Sequence, residues 1–93
     1  MTLNELKSEI KEGNVIVDFF ANWCGPCKMM MPVLDDIEKT ENIKVIKINV
    51  DENPEITSEF NIRSVPTFFF YKEGNEVART VGTFNKATLK TIF

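Results

Sequence analysis

Histidine is absent from this chain of 93 residues, and cysteine occurs only twice. Each scarcity removes chemistry. Two thiolates supply half of a tetrahedral zinc site, and the usual remaining ligand is missing, so no metal is expected. Cys–His and Ser–His catalytic pairs are impossible. A covalent haem of the C-x-x-C-H type is excluded, because Lys28 follows Cys27. Basic clusters are lacking too. Eleven Lys and Arg against 14 Asp and Glu leave a net charge of −3, which argues against a nucleic-acid surface. No apolar run approaches the roughly 20 residues that span a bilayer. Met1–Lys11 has no apolar stretch like that of a secretory signal, so a cytoplasmic location without a membrane partner is expected. What is present is ordinary for a globular chain: 43% apolar and 27% charged residues, at a length suited to one domain over residues 1–93.

What these exclusions leave for Cys24 and Cys27 is a disulfide between them. A four-residue loop of this kind gives roughly 2 kcal/mol of chain-entropy stabilisation, against about 3 for a loop of about 15. A bridge meant to staple a fold would join more distant segments, and it would be unusual in a reducing cytosol. A dithiol that cycles between open and closed states fits better.

The surrounding pattern places the pair. Thr2-Leu3-Asn4-Glu5 reads as a capping box opening a helix with Leu3, Leu6 and Ile10 on one face, and Gly13 is the expected stop. Val15–Phe20 is an apolar run without alternation, as in a strand buried on both faces, interrupted by Asp18. A helix is expected from about Cys24 to Thr40, with Cys27, Met30, Met31, Leu34 and Ile37 as its apolar stripe and a kink at Pro32. The methionine run from Met29 to Met31 is read as core packing rather than a binding surface. Residues 43–50 form the next strand. Asn53 is the expected cap of a short helix that starts at Pro54 and stops at Asn61. Residues 67–71 and 76–81 are strands joined at Glu73-Gly74-Asn75, and Asn85 caps a last short helix. The order is α-β-α-β-α-β-β-α. A helix between the first two strands makes them parallel, and the terminal hairpin is antiparallel. A mixed four-stranded sheet with helices on both faces is the expected α/β fold.

The Cys24-Gly25-Pro26-Cys27 segment lies where a buried strand gives way to a helix. There, orphan N–H groups and the helix dipole favour an anion, so the Cys24 thiol should ionise more readily than usual. Cys27 is about one turn on and faces the same side. Pro26 sits in the first turn, where its missing N–H costs nothing. Cys24 is thus the expected nucleophile on a substrate disulfide. Cys27, on the apolar stripe and less accessible, resolves the mixed disulfide. Asp18, in a doubly buried strand, should hold its proton to unusually high pH and suits a proton acceptor for the resolving thiol. Lys47 lies in Ile46-Lys47-Ile48 and points either inward to Asp18 or outward to solvent; the pattern leaves both open.

The segment Val17-Asp18-Phe19-Phe20-Ala21-Asn22-Trp23-Cys24-Gly25-Pro26-Cys27-Lys28 resembles the active-site segment of thioredoxins. Further matches follow: Pro32, Lys47 with Val50-Asp51-Glu52-Asn53-Pro54, Arg63-Ser64-Val65-Pro66-Thr67, and Val81-Gly82. The resemblance covers nearly the whole chain. It implies that Cys24 is the nucleophile, Cys27 the resolving thiol, Asp18 the buried acid/base and Lys47 its partner. It implies a cis Val65–Pro66 bond, with the Val65 backbone pairing an extended substrate. Trp23, Pro26, Val65 and Gly82 would form a flat apolar docking surface, with Gly25 and Pro66 as further substrate-binding residues. No cofactor is implied. The implied partners are disulfide-containing proteins and a flavoprotein thioredoxin reductase, and the chain is expected to act as a monomer.

The chain also departs from the family. Only Met1 and Thr2 precede the first helix, so the family's first strand is expected to be missing and residues 43–50 to form a sheet edge. Lys44 and Lys47 would then guard that edge, or the first helix would cover it. Phe20 stands where thioredoxins often carry a second tryptophan, and Ser64 where many have glycine. The leading reading is a protein disulfide reductase acting as an electron carrier. The alternatives are a disulfide oxidase or isomerase, and a binding subunit whose docking surface matters more than its redox state.

Overall fold

A computed structural model describes residues 1–93. The elements are α1 (Leu3–Glu9), β1 (Asn14–Phe20), α2 (Gly25–Thr40), β2 (Lys44–Asn49), α3 (Pro54–Glu59), β3 (Thr67–Lys72), β4 (Asn75–Val81), a 3-10 turn at Lys86–Thr88 and α4 (Leu89–Ile92). The four strands lie in the order β2-β1-β3-β4. β1 runs parallel to β2 and antiparallel to β3, and β3 and β4 form the antiparallel hairpin.

The continuous apolar run of β1 has its physical cause here. β1 is central, and Val15 through Phe19 are all buried because helices cover both faces. On one face Val15, Val17 and Phe19 pack with Leu6 of α1, Ile56 of α3, Ile46, Ile48, Phe69 and Tyr71. On the other, Ile16 packs with Met30, Leu34 and Ile37 of α2, Phe68, Phe70 and Leu89. Alternation along β1 puts Asp18 on the α2 side with Ile16, in a position where the rest of the face is hydrocarbon.

Three local expectations need correction. Met31 is not part of the core: it is 45% exposed, whereas Met30 is 2% exposed. The buried positions of α2 are Cys27, Met30, Leu34 and Ile37, a 3-4-3 spacing that leaves Met31 at the margin of the stripe. Gly13 does not stop α1, which ends at Glu9 with Ile10 as its cap. Gly13 instead docks the entry of β1 on the β3–β4 turn, its N–H donating to the Glu73 carboxylate (3.1 Å) and its carbonyl accepting from Glu73 N–H (3.0 Å). Asn53 precedes α3 without capping it through its side chain. That side chain donates back to the Asn49 carbonyl at 3.0 Å and closes the loop at the end of β2.

Other turn signals act as read. The Thr2–Glu5 capping box is complete. Asn61 adopts a left-handed φ of 54° after α3. Glu73 and Gly74, with φ of 50° and 85°, make the two-residue hairpin turn that positive φ at both central positions favours.

β2 is an edge strand, and its two lysines leave it in opposite directions. The Lys44 ammonium pairs with the Glu9 carboxylate (3.0 Å) at the end of α1. That of Lys47 reaches Asp35 of α2 (3.7 Å) on the other face. α1 covers the sheet face through Leu6, and the lysines flank the edge itself.

Candidate active site

Strand β1 ends at Phe20, three residues form the link, and α2 begins at Gly25 with Cys24 as its N-cap. Cys24 keeps an extended backbone, φ −89° and ψ 110°, as an N-cap must. Its Sγ accepts a hydrogen bond from the Cys27 N–H at 3.2 Å, so a first-turn amide already points at the sulfur. Pro26 occupies the first turn as expected. Cys24 and Cys27 form a disulfide, with Cα atoms 5.3 Å apart. The two residues are 5% and 4% exposed, so accessibility does not separate them as expected from the stripe. What separates them is position: Cys24 caps the helix, and Cys27 is inside its first turn.

The site is walled by three neighbouring segments. Val65 packs beside Cys24, Cys27 and Ala21, and the Val65–Pro66 bond is cis. Gly82, at a φ of 93° that favours glycine, donates its N–H to the Pro66 carbonyl at 2.8 Å, bringing the end of β4 to the same corner. Trp23 is exposed, and its indole N–H donates to the Asp51 carboxylate at 3.0 Å. Asp51 is held in turn by its N–H to the Asn49 side-chain oxygen at 2.9 Å. Sequence reasoning named Asp51 only within a matched block, without a role, and missed Asn49. Asn49 ends β2 and Asp51 lies in the loop after it, 28 residues from Trp23, and no local spacing signals that contact.

Asp18 lies below the disulfide. It is 3% exposed, and its Oδ1 has no hydrogen-bond partner. Burial pushes its carboxyl up from 3.8 to about 7, and the Lys47 charge opposes that rise. Lys47 is the register partner of Asp18 across β1 and β2. Both line a cavity of about 110 Å³ that also reaches Cys27, Lys28 and Met31. The cavity therefore joins the buried carboxyl to the inner cysteine. Lys47 does what neither reading alone stated, lining the Asp18 cavity while pairing with Asp35. Lys47→Met is accordingly expected to raise the Asp18 midpoint above about 7, because the opposing positive charge is gone. A carboxyl 13C titration checks this, and an unmoved midpoint would remove Lys47 from the account.

Comparison with known proteins decides the family. The thioredoxin family model matches residues 1–93. The chain belongs to the thioredoxin family. It is 46% identical over 87 residues to thioredoxin 1 of Synechococcus elongatus, covering 89% of this chain and 81% of that one. The thioredoxin of Rickettsia prowazekii is 43% identical over 93 residues, 96% of this chain and 89% of its own. Among solved structures, oxidised mitochondrial thioredoxin 3 from Saccharomyces cerevisiae superposes with a TM-score of 0.83 at 37% identity, covering 97% and 87% of the two chains.

With that family come the thioredoxin fold and its activity, disulfide reduction by dithiol–disulfide exchange through the redox-active Cys24–Cys27 pair. The protein is a thioredoxin-type disulfide oxidoreductase whose partners are disulfide substrates and reductase-type donors. No helix is long and apolar enough to cross a membrane.

Proposed function

We propose that Cys24 carries the attack, Cys27 the resolution and Asp18 the proton between them. The observation that carries this reading is the single cavity shared by Asp18 and Cys27, with Cys24 placed outside it as the helix cap. In the reduced protein the Cys24 thiolate attacks one sulfur of a substrate disulfide. A mixed disulfide forms, and the first substrate thiolate leaves. Asp18 takes the Cys27 proton through the cavity, which exceeds the space one water needs. The Cys27 thiolate then attacks Cys24 Sγ, the second substrate thiolate leaves, and the Cys24–Cys27 disulfide closes. Two electrons have passed to the substrate, and two must return from a donor.

Trp23, Gly25, Pro26, Val65 and Gly82 form the docking surface in this reading, and Pro66, whose side chain is fully buried, contributes through the cis bond that sets the Val65 backbone rather than through exposed surface. The surface is supported by the exposure of Trp23, the packing of Val65 on the cysteines and the Gly82–Pro66 hydrogen bond. Lys47 tunes Asp18 and keeps it from holding its proton to still higher pH. The whole of residues 1–93 acts as one domain and one monomer in the cytoplasm, with a flavoprotein thioredoxin reductase as donor and disulfide-bonded proteins as acceptors. Insulin disulfide reduction tests this, first with dithiothreitol and then with candidate thioredoxin reductases. Turnover with a flavoprotein reductase is the expected result. Turnover with dithiothreitol but with no reductase would overturn the choice of donor.

A further inference from the structure

Three adjacent thioethers sit in three environments. Met30 is 2% exposed, Met29 is 72% exposed on the outer surface, and Met31 is 45% exposed. Of the three, only Met31 lines the cavity of Asp18, Cys27 and Lys47. It therefore meets solvent on one side and the cavity on the other. We propose that Met31 is the apolar wall of the Asp18 cavity and a site of sulfoxidation by hydroperoxides, through which oxidation retunes the proton step of disulfide exchange. The functional half of this inference rests on Asp18 as the proton acceptor.

The oxidation balances without another reagent. The Met31 sulfur attacks the terminal oxygen of the hydroperoxide, the O–O bond breaks and an S=O bond forms. The alcohol or water leaves with the proton. Sulfur loses two electrons and the peroxide gains them. The product is a polar side chain in a lining that joins the apolar Phe20 and Ala21 to three side-chain donors, Asn22, Lys28 and Lys47. Its oxygen accepts from these donors or from water, and a polar wall admits more water beside Asp18 than the thioether did.

The charges around Asp18 stay as they were. β2 contributes Lys47, which is held from outside by Asp35; α2 contributes Lys28 beside Cys27; β3 places the uncharged Phe68 opposite Asp18. What changes is hydration. Burial is the largest cause of the raised Asp18 carboxyl, so water entering the cavity moves its titration toward lower pH.

The test uses the full chain with its disulfide closed, which protects both cysteines. Hydrogen peroxide is added, conversion at each methionine is read by peptide mass spectrometry, and Asp18 is titrated by carboxyl 13C shifts. Conversion of Met31 is expected to lower the Asp18 midpoint by about one pH unit, a fraction of the shift that burial causes. Met31→Gln should reproduce the fall without oxidant. Met31→Leu should titrate like the parent and not respond to peroxide, while Met29→Leu should respond as the parent does. A midpoint unmoved after full conversion of Met31, or a shift that persists in Met31→Leu, overturns the assignment. Single-turnover resolution of a mixed disulfide supplies the second readout. Its pH profile should move with the titration. A rate equally fast in Asp18→Asn would instead place the failure in the role of Asp18.

Discussion

Cys27→Ser is expected to accumulate a stable mixed disulfide between Cys24 and a substrate cysteine, while Cys24→Ser loses disulfide reduction altogether. The two variants look alike by composition and differ by mechanism. In Cys27→Ser the helix cap, its extended backbone and the first-turn amide at 3.2 Å from Cys24 Sγ are all retained. The attack therefore proceeds and the second step does not. In Cys24→Ser the attacking position carries a hydroxyl, which a single N–H and a helix dipole do not ionise near neutral pH. Its loss of insulin reduction should be on the order of 10³-fold or more, the scale on which removal of a nucleophile acts. Mass spectrometry after incubation with a disulfide-bonded protein separates the outcomes. Trapping through Cys27 in the Cys24→Ser protein would reverse the assigned roles.

Asp18→Asn is expected to stabilise the fold at alkaline pH and slow the chemistry at neutral pH. The sign follows from the direction of the shift. The folded carboxyl titrates near 7 and the ordinary one near 3.8, so between those values the folded state binds more protons than the unfolded state. Stability of the parent therefore falls as pH rises from about 4 to 7 and levels off above that. A shift of this size corresponds to an upper limit of about 4 kcal/mol. Urea unfolding of the two proteins should coincide near pH 4 and separate to that extent by pH 9. The variant cannot accept the Cys27 proton, and the resolving step should slow by about 100-fold at pH 7, the low end of what a placed base contributes. A stability difference that is flat across pH would mean that the carboxyl is not desolvated as its burial indicates.

The sequence carried those elements whose cause is local or periodic. Val15–Phe20 was legible because a central strand covered on both faces cannot avoid being apolar, and Asp18 stood out against it for the same reason. The Cys24-Gly25-Pro26-Cys27 segment was legible because a proline-bearing first turn after a buried strand is a short-range pattern. The misses have a different origin. Met31 lies four residues from Cys27 and joins the stripe by spacing, yet helical period gives a sector and not a depth. Gly13 has the right residue type for a helix stop, but its left-handed backbone serves the contact with Glu73 instead. Asn53 competes between capping forward and bonding back to Asn49, and only the closed loop shows which it does. The contacts of Trp23 with Asp51 and of Lys47 with Asp35 depend on long side chains reaching across the fold, which no sequence spacing encodes.

Position 47 answers to two demands at once. Its side chain comes from the outermost strand, lies opposite the buried carboxyl and reaches a helix on the surface. A shorter or neutral replacement would leave the strand margin less guarded and would also move the proton affinity of Asp18. Resistance to misplaced strand pairing and the proton affinity of Asp18 are here tied to one residue. A change at this position that improves one property is expected to be read out in the other.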